Sequence, residues 1–233
     1  MDIVSRAMLN LSRRARAKRG EVFLQSFTLG PHTKVLDLGC GDGSNIDGIL
    51  KGTLVSPQNV YVADLGSHVE KAAERSGFKA VLIPESGRLP FPDKYFDVVF
   101  CSSVIEHVTI PKAEEWRLQS GTEFKKQAKA RQAEFASEIQ RLAKQYFVQT
   151  PNKWFPIESH TWLPFVGWLP RRFLIPVLRL TNRIWVKKTA PDWNLLTKEN
   201  MRQLFPDSEI QVEKVFGLTK SIMAIKRESS SPS

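Results

Sequence analysis

The strongest constraint on the fold is an apolar run that ends in closely spaced glycines. The run is Val35–Leu38, and Gly39, Gly41 and Gly43 follow it in the sequence VLDLGCGDG. Glycine tolerates positive φ angles and lets a ligand approach the backbone without a Cβ in the way. Because a helix can begin at Ser44, the segment predicts a buried parallel strand, a tight turn and a helix. In open α/β sheets, ligands bind at such turns, beyond the carboxyl ends of the strands.

The chemistry of this turn excludes the two common phosphate-binding loops. No Gly-Lys-Ser/Thr closes it, and its G-x-G-x-G spacing differs from the dinucleotide fingerprint G-x-G-x-x-G. Asp37 and Asp42 would also place negative charge beside a pyrophosphate. The turn therefore favours a ligand with a positive centre and no phosphate.

These residues resemble the first motif of class I S-adenosylmethionine (SAM) methyltransferases, whose cofactor carries a sulfonium and an ammonium. The next apolar strand, 59–64, ends in Asp64. A carboxylate there can accept hydrogen bonds from both ribose hydroxyls of an adenosyl group, and it can also cap the helix that follows. The segment LPFPDKYFDVVFCSSVIEHV, residues 89–108, resembles the family's segment from the adenine loop to the fourth strand.

The resemblance implies a fold and a cofactor site. The fold is α/β: a Rossmann-like, seven-stranded, mostly parallel sheet with flanking helices and an antiparallel last strand. The family has an acid near the adenine amino group, four residues before the leucine that begins this segment, Leu89. Glu85 stands there, where Asp is more usual. The residues that the resemblance assigns to SAM are Asp37, Gly39, Cys40, Gly41, Asp42, Gly43, Asp64, Leu65, Glu85, Ser86, Cys101 and Ser102.

We expect three parts in the chain. Residues 1–30 predict a basic amphipathic helix, residues 31–227 a SAM-dependent methyltransferase domain, and residues 228–233 a disordered tail. We expect residues 22–27 to pack on the sheet edge, where such a helix caps the cofactor pocket in this family. The arginines of residues 6–19 leave packing and membrane-surface attachment open.

Residues 151–196 form an insertion that should cover the substrate. The segment TPNKWFPIESHTWLPFVGWLP, residues 150–170, resembles one in bacterial methyltransferases close to the ubiquinone-biosynthesis type, where this region covers the acceptor pocket. The apolar and basic residues 171–180 come next. They predict either a helical lid over that pocket or an interfacial segment at a lipid headgroup layer.

Methyl transfer requires alignment of the nucleophile and, for an oxygen acceptor, removal of a proton. The candidate catalytic residues are Glu106 and His107 after the fourth strand, and Glu158 and His160 after the fifth. His107 is the first candidate for the general base, because a neutral imidazole works near pH 7; the alternative is a structural hydrogen bond. Carboxylates and imidazoles also suit divalent ions. However, the metal-assisted Glu-x-x-Glu-His pattern has Ser103 at its first position here, so we expect no metal.

The net charge of +10 makes a nucleic-acid methyltransferase the alternative function. Against it, the fourth strand ends in Cys-Ser-Ser-Val, without the Asn/Asp-Pro-Pro-aromatic segment of enzymes that methylate base amines. A non-catalytic SAM-fold binding protein is the third candidate, but it predicts a degenerate glycine loop. We therefore predict a SAM-dependent methyltransferase that acts on a small-molecule or lipid-like acceptor at oxygen. The two cysteines and the lack of a signal segment favour a cytoplasmic protein, with peripheral membrane contact left open.

Overall fold

The computed structural model describes residues 3–66, 68–84 and 86–228, with the side chains of the first helix described from Arg13. The helices are α1 (Ile3–Ser26), α2 (Ser44–Leu50), α3 (His68–Ser76), α4 (Gly121–Leu142), α5 (Arg171–Ile184) and α6 (Lys198–Leu204). The strands are β1 (Val35–Leu38), β2 (Val60–Asp64), β3 (Lys79–Leu82), β4 (Phe96–Ser102), β5 (Ala143–Pro151), β6 (Glu209–Val215) and β7 (Leu218–Lys226). Glu85 and the predicted tail from residue 229 lie outside the described residues.

The seven strands form one sheet in the order β3-β2-β1-β4-β5-β7-β6. β1 pairs in parallel with β2 and with β4, which places Asp37 between Val62 and Phe100. At the other end of the chain, Phe216 and Gly217 join β6 to β7 with φ angles of 49° and 78°. Two successive positive φ angles are typical of the tight turn of an antiparallel hairpin. The predicted Rossmann-like sheet, mostly parallel with an antiparallel pair, is confirmed.

The chain divides into two compact units. The first unit comprises Met1–Cys101, Ile139–Phe147 and Ile225–Ser233, and it contains the glycine turn. The second unit comprises Ser102–Glu138 and Val148–Ala224, and it contains the insertion and all four candidate catalytic residues.

In the first unit, the end of α1 packs on the face of the sheet. Phe23 is fully buried, with its ring centroid 5.1 Å from that of Phe100 and 5.9 Å from that of Phe147. Phe100 belongs to β4 and Phe147 to β5, which are internal strands. The expected position at the sheet edge is therefore wrong for this side chain. Burial of large aromatic rings explains the difference, because internal strands offer more apolar surface than an edge strand.

In the second unit, α5 and the loops around it have an apolar cluster of their own, formed by Val166, Leu174, Leu178, Trp193 and Leu195. The buried side chain of Arg171 fixes the start of α5. Its guanidinium donates hydrogen bonds to the carbonyl oxygens of Leu118, Pro191 and Glu115, and it lies 3.9 Å from the ring centroid of Phe124.

Two helices have well-defined starts. The long helix α4 begins at Gly121 and fills most of the charged stretch before β5. Thr197 caps α6. Its Oγ1 accepts a hydrogen bond from the backbone N–H of Asn200, and Asn200 Oδ1 accepts one from the backbone N–H of Thr197. Among the described residues, no helix is long and apolar enough to cross a bilayer.

Candidate active site

The glycine turn of the first unit has the backbone that its sequence predicts. Gly39, Gly41 and Gly43 have φ angles of 79°, 57° and 71°, in the left-handed region that L side chains rarely adopt. A Cβ at Gly41 would meet no atom within 4 Å. Glycine is therefore required here by conformation and not by crowding, and the space beside the turn is open to a ligand.

Asp64 holds the turn against the end of β2. Its Oδ2 accepts a hydrogen bond of 2.8 Å from the backbone N–H of Gly41, and its Oδ1 accepts one of 2.7 Å from the N–H of Leu65. The N–H groups of Gly39 and Cys40 bind the carbonyl oxygen of Ala63, at 2.8 and 3.1 Å. These bonds join the turn after β1 to the end of β2.

Asp37 is the buried acid of this turn. Its Oδ2 has no hydrogen-bond partner among the described residues. Burial, followed by repulsion from Asp64, raises the pKa of Asp37 to about 8. A buried carboxyl oxygen without a donor is costly, and a cationic ligand group would relieve that cost. The turn thus fits a ligand with a positive centre, as SAM has.

The other residues assigned to the cofactor differ in burial and in hydrogen bonding. Burial, followed by the charges of Asp37 and Asp64, raises the pKa of Cys40 to about 12, so this thiol stays neutral. Leu65 and Ser86 are exposed, and Glu85 lies outside the described residues. Asp42 Oδ1 accepts a hydrogen bond from the hydroxyl of Ser44 at the start of α2. Of the remaining two, Cys101 is buried in the first unit, and Ser102 in the second unit donates a hydrogen bond to Gln149 Oε1.

In the second unit, the four candidate catalytic residues lie together, and each of the two histidines is paired with a carboxylate. His107 Nδ1 lies 2.9 Å from Asp192 Oδ2, and His160 Nδ1 lies 2.6 Å from Glu158 Oε1. The two imidazole rings meet edge to face, with their centroids 4.6 Å apart. A carboxylate at Nδ1 fixes the tautomer of a neutral imidazole and leaves Nε2 as its acceptor.

Glu106 is fully buried beside these pairs. Its Oε2 accepts a hydrogen bond of 3.0 Å from Thr150 Oγ1, and its Oε1 lies 3.9 Å from His160 Nε2. Oε1 has no hydrogen-bond partner among the described residues. One ligand atom from each of Glu106, His107 and His160 lies within 4.8 Å of the other two. These three residues could therefore hold a divalent cation.

In one pair the pKa of the histidine, His107, is raised, and in the other the pKa of the carboxylate, Glu158, is lowered. Burial lowers the pKa of His107, but the hydrogen bond to Asp192 and the charges of Glu106, Asp192 and Glu158 outweigh it and raise the pKa above its usual value. Burial raises the pKa of Glu158, but hydrogen bonds from His160 and Thr161 outweigh it and lower the pKa. Glu158 is therefore ionised, and its Oε1 holds the His160 ring at Nδ1.

The sequence-based assignment missed two members of this cluster. Asp192 binds His107, and Trp193 stacks on His160 with the ring centroids 5.4 Å apart and the planes 12° from parallel. The available signal was weak: Asp192 is the first acidic residue after Glu158. Its distance along the chain from His107 gave no reason to pair them.

A family comparison covers the glycine turn and the strands that follow it. The sequence model of the methyltransferase domain family matches residues 36–118. No curated protein sequence shows significant similarity to the chain.

Several solved structures share the fold. One is magnesium protoporphyrin IX methyltransferase from Synechocystis PCC 6803 with bound SAH, at 15% identity, 97% coverage of this chain, 89% of that chain and a TM-score of 0.54. A SAM-dependent methyltransferase from Archaeoglobus fulgidus is 16% identical over 92% of this chain and 94% of its own, with a TM-score of 0.51. A methyltransferase of Haloferax volcanii, in complex with the Trm112 methyltransferase activator, is 14% identical over 94% and 93%, with a TM-score of 0.54.

At these identities the structural likeness establishes the fold, while the family match identifies the glycine turn and the strands after it as a methyltransferase domain. The predicted cofactor, SAM, follows from that domain. The chain therefore has the Rossmann-like fold of SAM-dependent methyltransferases, and its residues 36–118 match the methyltransferase domain family.

Proposed function

We propose that the protein transfers the methyl group of SAM to an oxygen atom of a small-molecule or lipid-like acceptor, with His107 as the general base. The observation that carries this proposal is the His107–Asp192 pair. With Nδ1 bound to a carboxylate, the neutral imidazole presents Nε2 as a proton acceptor. An oxygen acceptor needs such a base, because a hydroxyl must lose its proton as the methyl group arrives.

The surrounding charges suit this role. Three carboxylates, those of Glu106, Glu158 and Asp192, act on His107 and favour its protonated form. They would stabilise the imidazolium that forms when His107 takes the acceptor's proton. His160 lies edge to face with His107 and is itself held by Glu158. We assign His160 and Glu158 to positioning, and Glu106 to the charge that supports both rings.

For the cofactor, we propose that Asp37 meets the ammonium and that Asp64 accepts the ribose hydroxyls. Bound SAM supplies an activated methyl group on a sulfonium. The orphaned Oδ2 of Asp37 supports the first assignment, and the position of Asp64 at the end of β2, bound to the N–H of Gly41, supports the second. We place Leu65 and Ser86, which are both exposed, beside the adenosine.

For the acceptor, the insertion supplies the strongest argument. Its buried apolar cluster is joined by the partly buried Trp116 and Leu163, so this segment offers aromatic and apolar surface to a ligand. One structurally similar enzyme, magnesium protoporphyrin IX methyltransferase, acts on a small molecule by its name. We therefore propose that residues 151–196 select an acceptor with substantial apolar surface.

A cation is the competing mechanism at the same residues. Glu106, His107 and His160 provide one carboxylate and two imidazoles, a donor set that divalent transition metals accept. Both imidazoles carry a carboxylate at Nδ1, which is the usual support of a metal-binding histidine. A bound cation would lower the pKa of an acceptor hydroxyl. A chelator distinguishes the two mechanisms, because it should abolish activity that depends on a cation and leave activity that depends on an imidazole base unchanged.

The test is methyl transfer from labelled SAM to phenols, carboxylic acids, lipids, amines and RNA. We expect transfer to an oxygen acceptor, and His107→Gln should lower kcat roughly 10²- to 10⁴-fold while SAM binding in calorimetry stays unchanged. His32→Gln is the matched control, because His32 is exposed in the first unit. Transfer to RNA or amines alone, or full activity of His107→Gln, would contradict the proposal.

A further inference from the structure

Helix α5 has an apolar stripe on its outside as well as on its inside. Leu174, Ile175 and Leu178 are buried within the second unit. Phe173, Leu180 and Ile184, by contrast, are 52%, 59% and 76% exposed. The exposed residues, with the half-buried Val177 between them, are spaced four, three and four residues apart. That spacing places them on one side of a helix, so they form a continuous exposed stripe.

A row of arginines runs beside this stripe. Arg172, Arg179 and Arg183 are all exposed, at a spacing of seven and four residues that also keeps to one side of the helix. The Arg172 guanidinium lies 4.7 Å from the ring centroid of Phe173. The outer surface of α5 thus consists of two parallel stripes, one apolar and one cationic.

The segment of sequence that contains α5 carries charge of one sign. No Asp or Glu occurs between Glu158 and Asp192, whereas four arginines and two lysines do. Most of the large apolar side chains that the described residues expose also lie between residues 154 and 186, Trp154, Phe165 and Trp168 among them. Exposed apolar and cationic groups therefore coincide in one segment of the chain.

We propose that α5 docks the protein on an anionic phospholipid bilayer, lying in the headgroup layer with Phe173, Leu180 and Ile184 toward the acyl chains. A helix with an apolar stripe and a basic flank binds such surfaces by burying the stripe and attracting anionic headgroups. Arginine side chains beside the stripe can extend to the headgroups while their stems stay in the apolar layer. This inference does not depend on the identity of the acceptor.

Other occupants fit the surface less well. α5 has 14 residues, and the described residues contain no helix able to span a bilayer, so it lies on the surface and does not cross it. Nucleic acid would use the arginines but not three exposed aliphatic and aromatic side chains. A second copy of the chain would bring the two arginine rows toward each other, with no acidic residue in the segment to offset them.

The test is flotation of the full-length protein with vesicles. We expect binding to vesicles of phosphatidylcholine mixed with phosphatidylglycerol, and weaker binding to phosphatidylcholine alone or at high salt. The double variant Leu180→Glu/Ile184→Glu should weaken binding roughly tenfold or more, because it removes apolar contact and adds repulsion. Arg172→Gln/Arg183→Gln should weaken binding to the anionic vesicles roughly tenfold, and it should have little effect on phosphatidylcholine alone.

The control is Leu54→Glu/Phe216→Glu, which makes the same chemical change at two exposed apolar residues outside α5. All of the changed side chains are exposed, so circular dichroism and thermal unfolding should match the wild type. Failure of the wild type to float, or equal flotation of wild type and both α5 variants, would overturn the proposal. Equal flotation of all three proteins would point to the arginines of α1 as the membrane contact instead of α5. Dimerisation that Ile184→Glu abolishes, without vesicle binding, would also overturn it.

Discussion

Replacing Arg171 by lysine should lower the free energy of unfolding by about 3 kcal/mol. The guanidinium donates from Nε to Leu118 O at 2.6 Å, from Nη1 to Pro191 O at 2.6 Å and from Nη2 to Glu115 O at 2.5 Å. Lysine keeps the charge but has one ammonium on a flexible stem, which cannot reach three carbonyls arranged around a planar fork.

The magnitude follows from the bonds that are lost. A hydrogen bond to a charged group contributes ~1.5–3 kcal/mol, so losing two of three would cost about 3–6 kcal/mol. The half-buried Glu115 backbone regains water, which favours the lower end of that range. The cation–π contact with Phe124, 3.9 Å from the guanidinium carbon, weakens as well.

Urea unfolding followed by tryptophan fluorescence measures this change. The matched control is Arg172→Lys, one residue further along α5. Arg172 is exposed and its guanidinium lies over the neighbouring Phe173 ring, so we expect a change within about 0.5 kcal/mol. The reasoning is refuted if Arg171→Lys loses less than about 1 kcal/mol, or if the two variants lose the same amount.

The ionisable groups of the two units make further measurements informative. The rate kcat/KM should rise with pH up to the raised pKa of His107, since only the neutral imidazole accepts a proton, and Asp192→Asn should move the inflection to lower pH. Asp37 should make the free energy of unfolding fall as the pH rises from 3.8, its unfolded pKa, to about 8, its folded pKa, because the folded carboxyl keeps a proton that the unfolded one loses. Asp37→Asn should remove this contribution. Asp64→Ala should weaken SAM binding in calorimetry roughly tenfold or more, while Asp47→Ala, at an exposed position of α2, should not. EDTA should leave kcat unchanged if an imidazole is the base.

Each of these has a result that contradicts it. A pH profile that Asp192→Asn does not shift would separate Asp192 from the base. Identical pH dependence of unfolding in Asp37→Asn and wild type would show that this carboxyl ionises normally. Equal SAM affinity in Asp64→Ala and Asp47→Ala would remove Asp64 from the cofactor site. Loss of activity with EDTA, restored by a divalent ion, would assign Glu106, His107 and His160 to a metal.

The sequence predicted the parts of the protein whose chemistry is local. Positive φ at Gly41 depends on residues within a few positions, so the pattern alone was sufficient. The seven-stranded, mostly parallel sheet followed from the family resemblance and is confirmed.

The parts that escaped prediction depend on long-range contacts. Arg171 and Arg172 are identical neighbours, and only the rotation of α5 decides that the first is buried and the second exposed. The pairing of His107 with Asp192 depends on two loops that are far apart in the chain. Phe23 was expected at the sheet edge, and its contact with Phe100 of an internal strand could not be derived from helical periodicity.

The hydrogen bond from Gly41 to Asp64 also has a thermodynamic consequence for ligand binding. It joins the turn after β1 to the end of β2 within the protein itself. The backbone that must approach the cofactor is thus already ordered, and little conformational entropy remains to be lost when the ligand arrives. The same carboxylate that we expect to recognise the ribose therefore also lowers the entropic cost of recognising it.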